Sequence, residues 1–154
     1  AAIKAGVAHA HATARLQRFN GPPELIVDVA HNPQAAGVLA DNLGSMAYHP
    51  NTWAVFGMLS DKDIAGVVEC LKGRIDRWFA ATLSGPRGTT AEMLASTLAD
   101  HGIRAVACFD SPAEAYRAAR EQAGENDRIL AFGSFLTVAS VLRAIDDERK
   151  RRTT

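Results

Sequence analysis

Residues 24–33 read ELIVDVAHNP. Five of the first seven positions are apolar, three of them Ile or Val, and so short a run suits a strand buried on both faces of a sheet. Asn32-Pro33 then places a capping side chain ahead of a proline at the first helical position, where no amide hydrogen is needed. Strand, turn and helix start thus follow within ten residues, and the helix is expected to run to about Met46. With residues 24–30 as the first, the same order recurs at 52–59 (TWAVFGML), 77–83 (RWFAATL), 103–109 (IRAVACF) and 128–134 (RILAFGS). Asp61 is expected to cap a helix reaching about Gly73, while Thr89 with Glu92 and Ser111 with Glu114 have capping-box spacing. A last helix should begin near Ser134 or Phe135 with Val138, Val141, Leu142 and Ile145 on one face, leaving DDERKRRTT as a solvated tail. Repeated βα units of this kind predict an α/β, three-layer Rossmann-like domain. Its sheet should be mainly parallel, with about six strands and helices on both faces; the first strand, in ARLQRFN, should be antiparallel.

The chain has 154 residues, 47% apolar and 22% charged, with seventeen Lys and Arg balanced by seventeen Asp and Glu. Such a chain suits one globular domain, and its zero net charge gives no basic field to draw nucleic acid. No apolar run approaches the roughly 18 to 20 residues of a membrane span, and no signal-peptide pattern opens the chain, so a cytoplasmic setting is expected. Cys70 and Cys108 lie 38 positions apart in apolar-periodic segments and are expected to be buried, reduced thiols. The opening AAIKAGVAHAHA has a thin apolar face. Residues 1–12 therefore read as the trailing helix or linker of a preceding domain, 13–148 as the domain itself and 149–154 as a basic tail.

Open parallel sheets bind ligands at the carboxyl ends of their strands. There the first unit offers Asp28, His31 and Asn32, a carboxylate, an imidazole and an amide at a helix start. Such a group can accept hydrogen bonds from a ribose diol and receive an anion, or it can simply cap a helix and satisfy loop amides. The second unit offers Asp61-Lys62-Asp63, read more readily as a cap within a solvated charge cluster than as catalytic. The third offers Ser84-Gly85-Pro86-Arg87-Gly88, in which Arg87 is either a carboxylate clamp or part of a plain turn. Trp53 and Trp78 at strand starts suit packing. No G-x-G-x-x-G follows the first strand and no G-x-x-x-x-G-K-[ST] occurs, so the chain by itself carries neither fingerprint of nucleotide binding. A stand-alone flavodoxin-like ligand-binding or signalling module has a similar rhythm and is the alternative.

Four blocks, LIVDVAHNPQAAGVLADNL, VFGMLSDKDIAGVV, LSGPRGTTAEML and ILAFGSFLTVASVL, together resemble the C-terminal domain of the bifunctional folylpolyglutamate synthase/dihydrofolate synthase family within the Mur ligase superfamily. The resemblance implies an ATP-dependent ligase that joins L-glutamate to dihydropteroate or folate polyglutamates through an acyl phosphate. It implies that ATP and Mg2+ are held mainly by an N-terminal ATPase domain, the partner this domain closes upon, and that the fragment alone is inactive. By the same resemblance Arg15 would contact ATP phosphates and Asp28 the ribose hydroxyls. His31 would be the catalytic residue near the terminal phosphate and the incoming amino acid, and Asn32 and Ser134 would contact glutamate. Two positions depart from the family pattern: Leu136, where relatives carry His or Tyr, and Ala14, where they carry Gly.

Overall fold

The computed structural model describes residues 16–153. The trailing helix expected over 1–12 lies outside them. In chain order the elements are β1 (Gln17–Phe19), β2 (Glu24–Asp28), α1 (Pro33–Gly44), β3 (Thr52–Phe56), α2 (Ile64–Leu71) with a 3-10 turn (Lys72–Arg74), β4 (Arg77–Ala81), α3 (Ala91–Asp100), β5 (Val106–Phe109), α4 (Pro112–Gln122), β6 (Arg128–Phe132) and α5 (Phe135–Thr153). They form one six-stranded sheet in the order β1-β2-β6-β3-β4-β5. Only the β1–β2 pair is antiparallel, with Gln17 opposite Val27 and Phe19 opposite Leu25.

Side chains alternate between the two faces of each strand, which explains why the runs are apolar throughout. Along β3, Ala54 and Phe56 join the core beneath α1, α2 and α3, whereas Trp53 and Val55 join the core beneath α4 and α5. Phe56 and Phe132 stack with ring centroids 4.9 Å apart, and Trp78 meets them edge-on at 5.4 and 6.1 Å. Such aromatic pairs contribute roughly 0.5–1.5 kcal/mol each beyond the area they bury. Trp53 and Trp78 are both buried, as packing residues.

Several local expectations shift. The cap of α2 is Asp63, whose carboxylate accepts from Gly66 N, and not Asp61. The cap of α3 is Thr90, because the neighbouring Thr89 carbonyl pairs with Leu83 N and draws Thr89 into the interior. Ser111 caps α4 as expected, accepting from Glu114 N. Residue 103 still belongs to the turn after α3, so β5 begins only at Val106. The basic tail is helical to Thr153: an Asp146–Lys150 pair supports it, and cations suit a helix C-terminus. Neither cysteine is fully buried. Cys70 is half-buried with its thiol directed at Pro33 O, and Cys108 is exposed because β5 is an edge strand. Among the described residues no helix is long and apolar enough to cross a membrane.

Chain order determines where loops part. The connections after β2, β3 and β4 leave to the face of α1, α2 and α3, whereas α5 leaves β6 to the opposite face. Since β6 lies between β2 and β3, a crevice must open at their carboxyl ends.

Candidate functional site

Asp28 closes β2, and its Oδ1 accepts the Ala30 amide hydrogen at 2.7 Å. This short turn swings the chain away from the sheet and leaves His31 exposed. The His31 Nδ1 lies 3.0 Å from Val29 O. A carbonyl oxygen only accepts, so Nδ1 carries the proton, and Nε2 is the atom the ring can offer a ligand. Asn32 Oδ1 caps α1 by accepting from Ala35 N at 2.8 Å, which commits its acceptor and leaves its amide hydrogens as what it could offer.

The loop after β6 is closed by two glycine contacts. Gly133 has φ +111°, and a Cβ there would stand 2.5 Å from Gly57 O; a Cβ on Gly57 would stand 2.7 Å from Thr137 Oγ1. Thr137 Oγ1 in turn donates to Gly57 O at 2.9 Å, away from solvent. These contacts clamp the first turn of α5 against the end of β3 at a spacing only glycine permits. They fix Ser134, 4% exposed, whose Oγ accepts from Leu136 N at 3.1 Å and keeps its own hydrogen to donate.

The loops after β3 and β4 are joined by an antiparallel bridge between Leu59 and Gly88, with Ser60 N donating to Arg87 O at 2.7 Å. Across this bridge Arg87 Nη2 donates to Asp61 Oδ2 at 2.6 Å. That hydrogen bond holds the Asp61 carboxyl below the usual carboxylate range.

Together the four loops enclose a cleft of about 280 Å³. Val29, Leu59 and Phe135 give it apolar walls, while His31, Lys62, Arg87 and Ser134 supply the polar groups. Among the described residues no carboxylate lines it. Lys62 is in no ion pair among the described residues, and the capped starts of α1 and α5 adjoin the cleft. Two cations, a hydroxyl and helix N-termini make a site for an anion, with the His31 imidazole beside it as a proton acceptor.

Of the residues expected from the sequence, the structure brings His31 and Ser134 into this cleft. Asp28 and Asn32 stand beside it in the same turn without lining it, and Arg15 lies outside the described residues. The expected readings gave Lys62 to a solvated cluster and left Arg87 between clamp and turn. Their signal was the placement of SDKD and GPRG after two strands that turn out to be neighbours. Among the described residues no three His, Cys, Asp or Glu side chains converge as ligands for a metal. The cleft's donors suit phosphate or carboxylate oxygens and do not fit a divalent cation such as Mg2+.

Comparison with known proteins agrees with this fold. The sequence profile of the "Mur ligase, glutamate ligase domain" family matches residues 14–135. The dihydrofolate synthase/folylpolyglutamate synthase of Escherichia coli K12 is 43% identical over 148 residues, covering 96% of this chain and 34% of that protein. The structure of E. coli FolC in complex with DHPP and ADP superposes with a TM-score of 0.82 at 43% identity, over 88% of this chain and 32% of that one. A bifunctional folylpolyglutamate synthase/dihydrofolate synthase with Mn, AMPPNP and L-glutamate bound gives a TM-score of 0.77 at 42% identity, over 87% of this chain and 32% of that one. The chain spans about a third of the length of the curated relatives it matches.

Proposed function

Because the chain belongs to the Mur ligase, glutamate ligase domain family, we propose that it serves as the C-terminal domain of an ATP-dependent ligase. That ligase adds L-glutamate to dihydropteroate, to folate polyglutamates, or to both. The observation that carries the reading is the anion-accepting cleft formed by His31, Lys62, Arg87 and Ser134 at the carboxyl ends of β2, β3, β4 and β6.

ATP supplies the phosphoryl group that converts the acceptor's carboxylate into an acyl phosphate. What these residues contribute is binding and orientation. Arg87, held by Asp61, and Lys62 offer cations to the carboxylates of glutamate, and the Ser134 hydroxyl donates a further hydrogen bond. His31 Nε2 stands at the cleft where the amine must lose a proton as it attacks the acyl carbon. An imidazole fixed through its Nδ1–H is suited to that transfer. Asp28, next to the cleft, is assigned to the ribose hydroxyls and Arg15 to the phosphates. The Mg2+ that accompanies ATP is assigned to the N-terminal part of the ligase.

The path of the chain supports this assembly. In the antiparallel pairing Gln17 faces Val27, so the chain enters β1 from the cleft edge of the sheet. A preceding ATPase domain would therefore sit over the cleft, exclude water from a hydrolysable acyl phosphate and deliver the nucleotide.

The test has two arms. Calorimetry on the isolated chain should give no ATP binding that Asp28→Ala removes. Fusion of the chain to the N-terminal two-thirds of the E. coli relative should give ATP-dependent incorporation of glutamate. Tight ATP binding by the isolated chain that Asp28→Ala removes, or a folded fusion without ligation, overturns the reading.

A further inference from the structure

The amino edge of the sheet holds a second cleft, of about 380 Å³, between the turn at residues 20–23 and the last turns of α4 and α5. Ile145 is ten residues into α5, which places it about 15 Å from that helix's start and from the ligase cleft. The floor is apolar, formed by Leu25, Tyr116 and Ile145, all buried. The wall is arginine. Arg120 projects from α4, and Arg149 and Arg152 from α5. An adjoining hollow of about 350 Å³ shares Arg120 and Arg152 and adds Arg117.

Cations on the last turns of helices are favoured by the macrodipole wherever they lie around the axis. The dipole does not explain their facing. Arg117 with Arg120, and Arg149 with Arg152, each stand at i, i+3, which puts both pairs on the sides where the two helices meet. Among the described residues two carboxylates, Glu121 and Glu148, share these hollows, and Glu148 is engaged by Arg120. Among the described residues Arg117, Arg149 and Arg152 are in no ion pair. A concave surface that gathers cations without their counter-charges is electrostatically incomplete.

We propose that this basal cleft binds an oligoanion, a ligand carrying several carboxylate or phosphate groups, through Arg149 and Arg152 with Arg120 as the inner contact. Guanidinium forks suit either oxygen geometry, bidentate and planar. Two sources share that chemistry: an oligo-γ-glutamate chain, which rests on the ligase reading above, and a polyphosphate group, which does not.

The 154-residue chain should be titrated calorimetrically in low-salt buffer with tripolyphosphate and, separately, with γ-linked triglutamate. Three proteins are needed: the parent, Arg149→Glu/Arg152→Glu and Lys62→Ala/Arg87→Ala. The expected result is one-site binding of at least one ligand, weakened about tenfold or more by the double charge reversal and unchanged by the substitutions in the ligase cleft. Triglutamate binding alone identifies the product-like source, whereas binding of both ligands, or of tripolyphosphate alone, keeps the site even if the fused ligase proves inactive. The variants' melting temperatures report whether each is folded. The proposal is overturned if neither ligand binds, or if binding survives the reversal at the helix ends and disappears with Lys62 and Arg87.

Discussion

The two edges of the sheet treat polar side chains in opposite ways. At the amino edge Asp127 is buried, and its carboxylate accepts from Trp53 Nε1 at 2.9 Å, Gly124 N at 2.9 Å and Asn51 N at 3.1 Å. Beside it Arg128 Nε donates to Thr52 Oγ1 at 2.7 Å and Asp76 accepts from Thr52 N at 2.8 Å. These groups are consumed internally and pin the starts of β3 and β6 to their neighbours. At the carboxyl edge the Lys62 ammonium and His31 Nε2 are presented outward, and backbone contacts at Gly57 and Gly133 do the holding. Around the starts of β3 and β6, away from the basal arginine cleft, polarity therefore holds the fold, whereas at the carboxyl edge it meets a ligand, and substitutions at the two should separate stability from activity.

The largest expected effect on stability is at the basal hub. Asp127→Ala leaves the buried Trp53 Nε1–H unpaired and frees the less buried Asn51 and Gly124 amides to meet water, so at about 1–3 kcal/mol per buried orphan it should cost on the order of 2 kcal/mol. Chemical denaturation of the isolated chain measures this, and a loss under about 1 kcal/mol would mean the hub is not holding the edge. Burial pushes the Asp127 carboxyl up, but the three hydrogen bonds outweigh it and hold the group below its ordinary value. The native state thus binds this proton less readily than the unfolded chain. The stabilisation is present above the unfolded value of about 4 and is lost as pH falls through the lower folded value. Between pH 5 and pH 2 the melting temperature of Asp127→Ala should accordingly fall less steeply than the parent's.

His31→Ala is the counterpart at the other edge. In the fused ligase it should lower turnover about 100-fold, the lower range for loss of a positioned acid or base, while the unfolding free energy of the isolated chain changes by less than about 0.5 kcal/mol. Comparable losses of stability at His31 and at Asp127 would erase the contrast between the edges.

The same contrast governs what could be read in advance. The β2–α1 junction was legible because its signals are local: an apolar run, an Asn-Pro start and a polar turn fall within ten residues. Capping of α2 and α3 was misplaced by one or two residues for a distant reason. Asp61 is taken by Arg87, twenty-six positions away, and Thr89 by its pairing with Leu83. The cleft itself joins loops from four units, and their adjacency depends on β6 inserting between β2 and β3, which no window of sequence contains. His31 and Ser134 could be placed near the cleft because each sits in a distinctive block, whereas Lys62 read as a solvated charge and Arg87 as either clamp or turn until the two loops were seen to be bridged.

The smallest expected effect, and the finest test, concerns that bridge. Asp61 and Arg87 are both more than half exposed, so their ion pair should add little to stability. Asp61→Ala should leave denaturation of the isolated chain nearly unchanged. Without its carboxylate, however, Arg87 loses the hydrogen bond that orients it toward the cleft, and ordering the guanidinium must then be met from glutamate binding. The fused ligase should show a several-fold rise in the KM for glutamate with little change in kcat, the pattern of lost ground-state positioning. Were kcat to fall and KM to hold, Asp61 would act on the reacting atoms and not through Arg87; were neither to move, the arginine would be positioned by the Leu59–Gly88 backbone bridge alone.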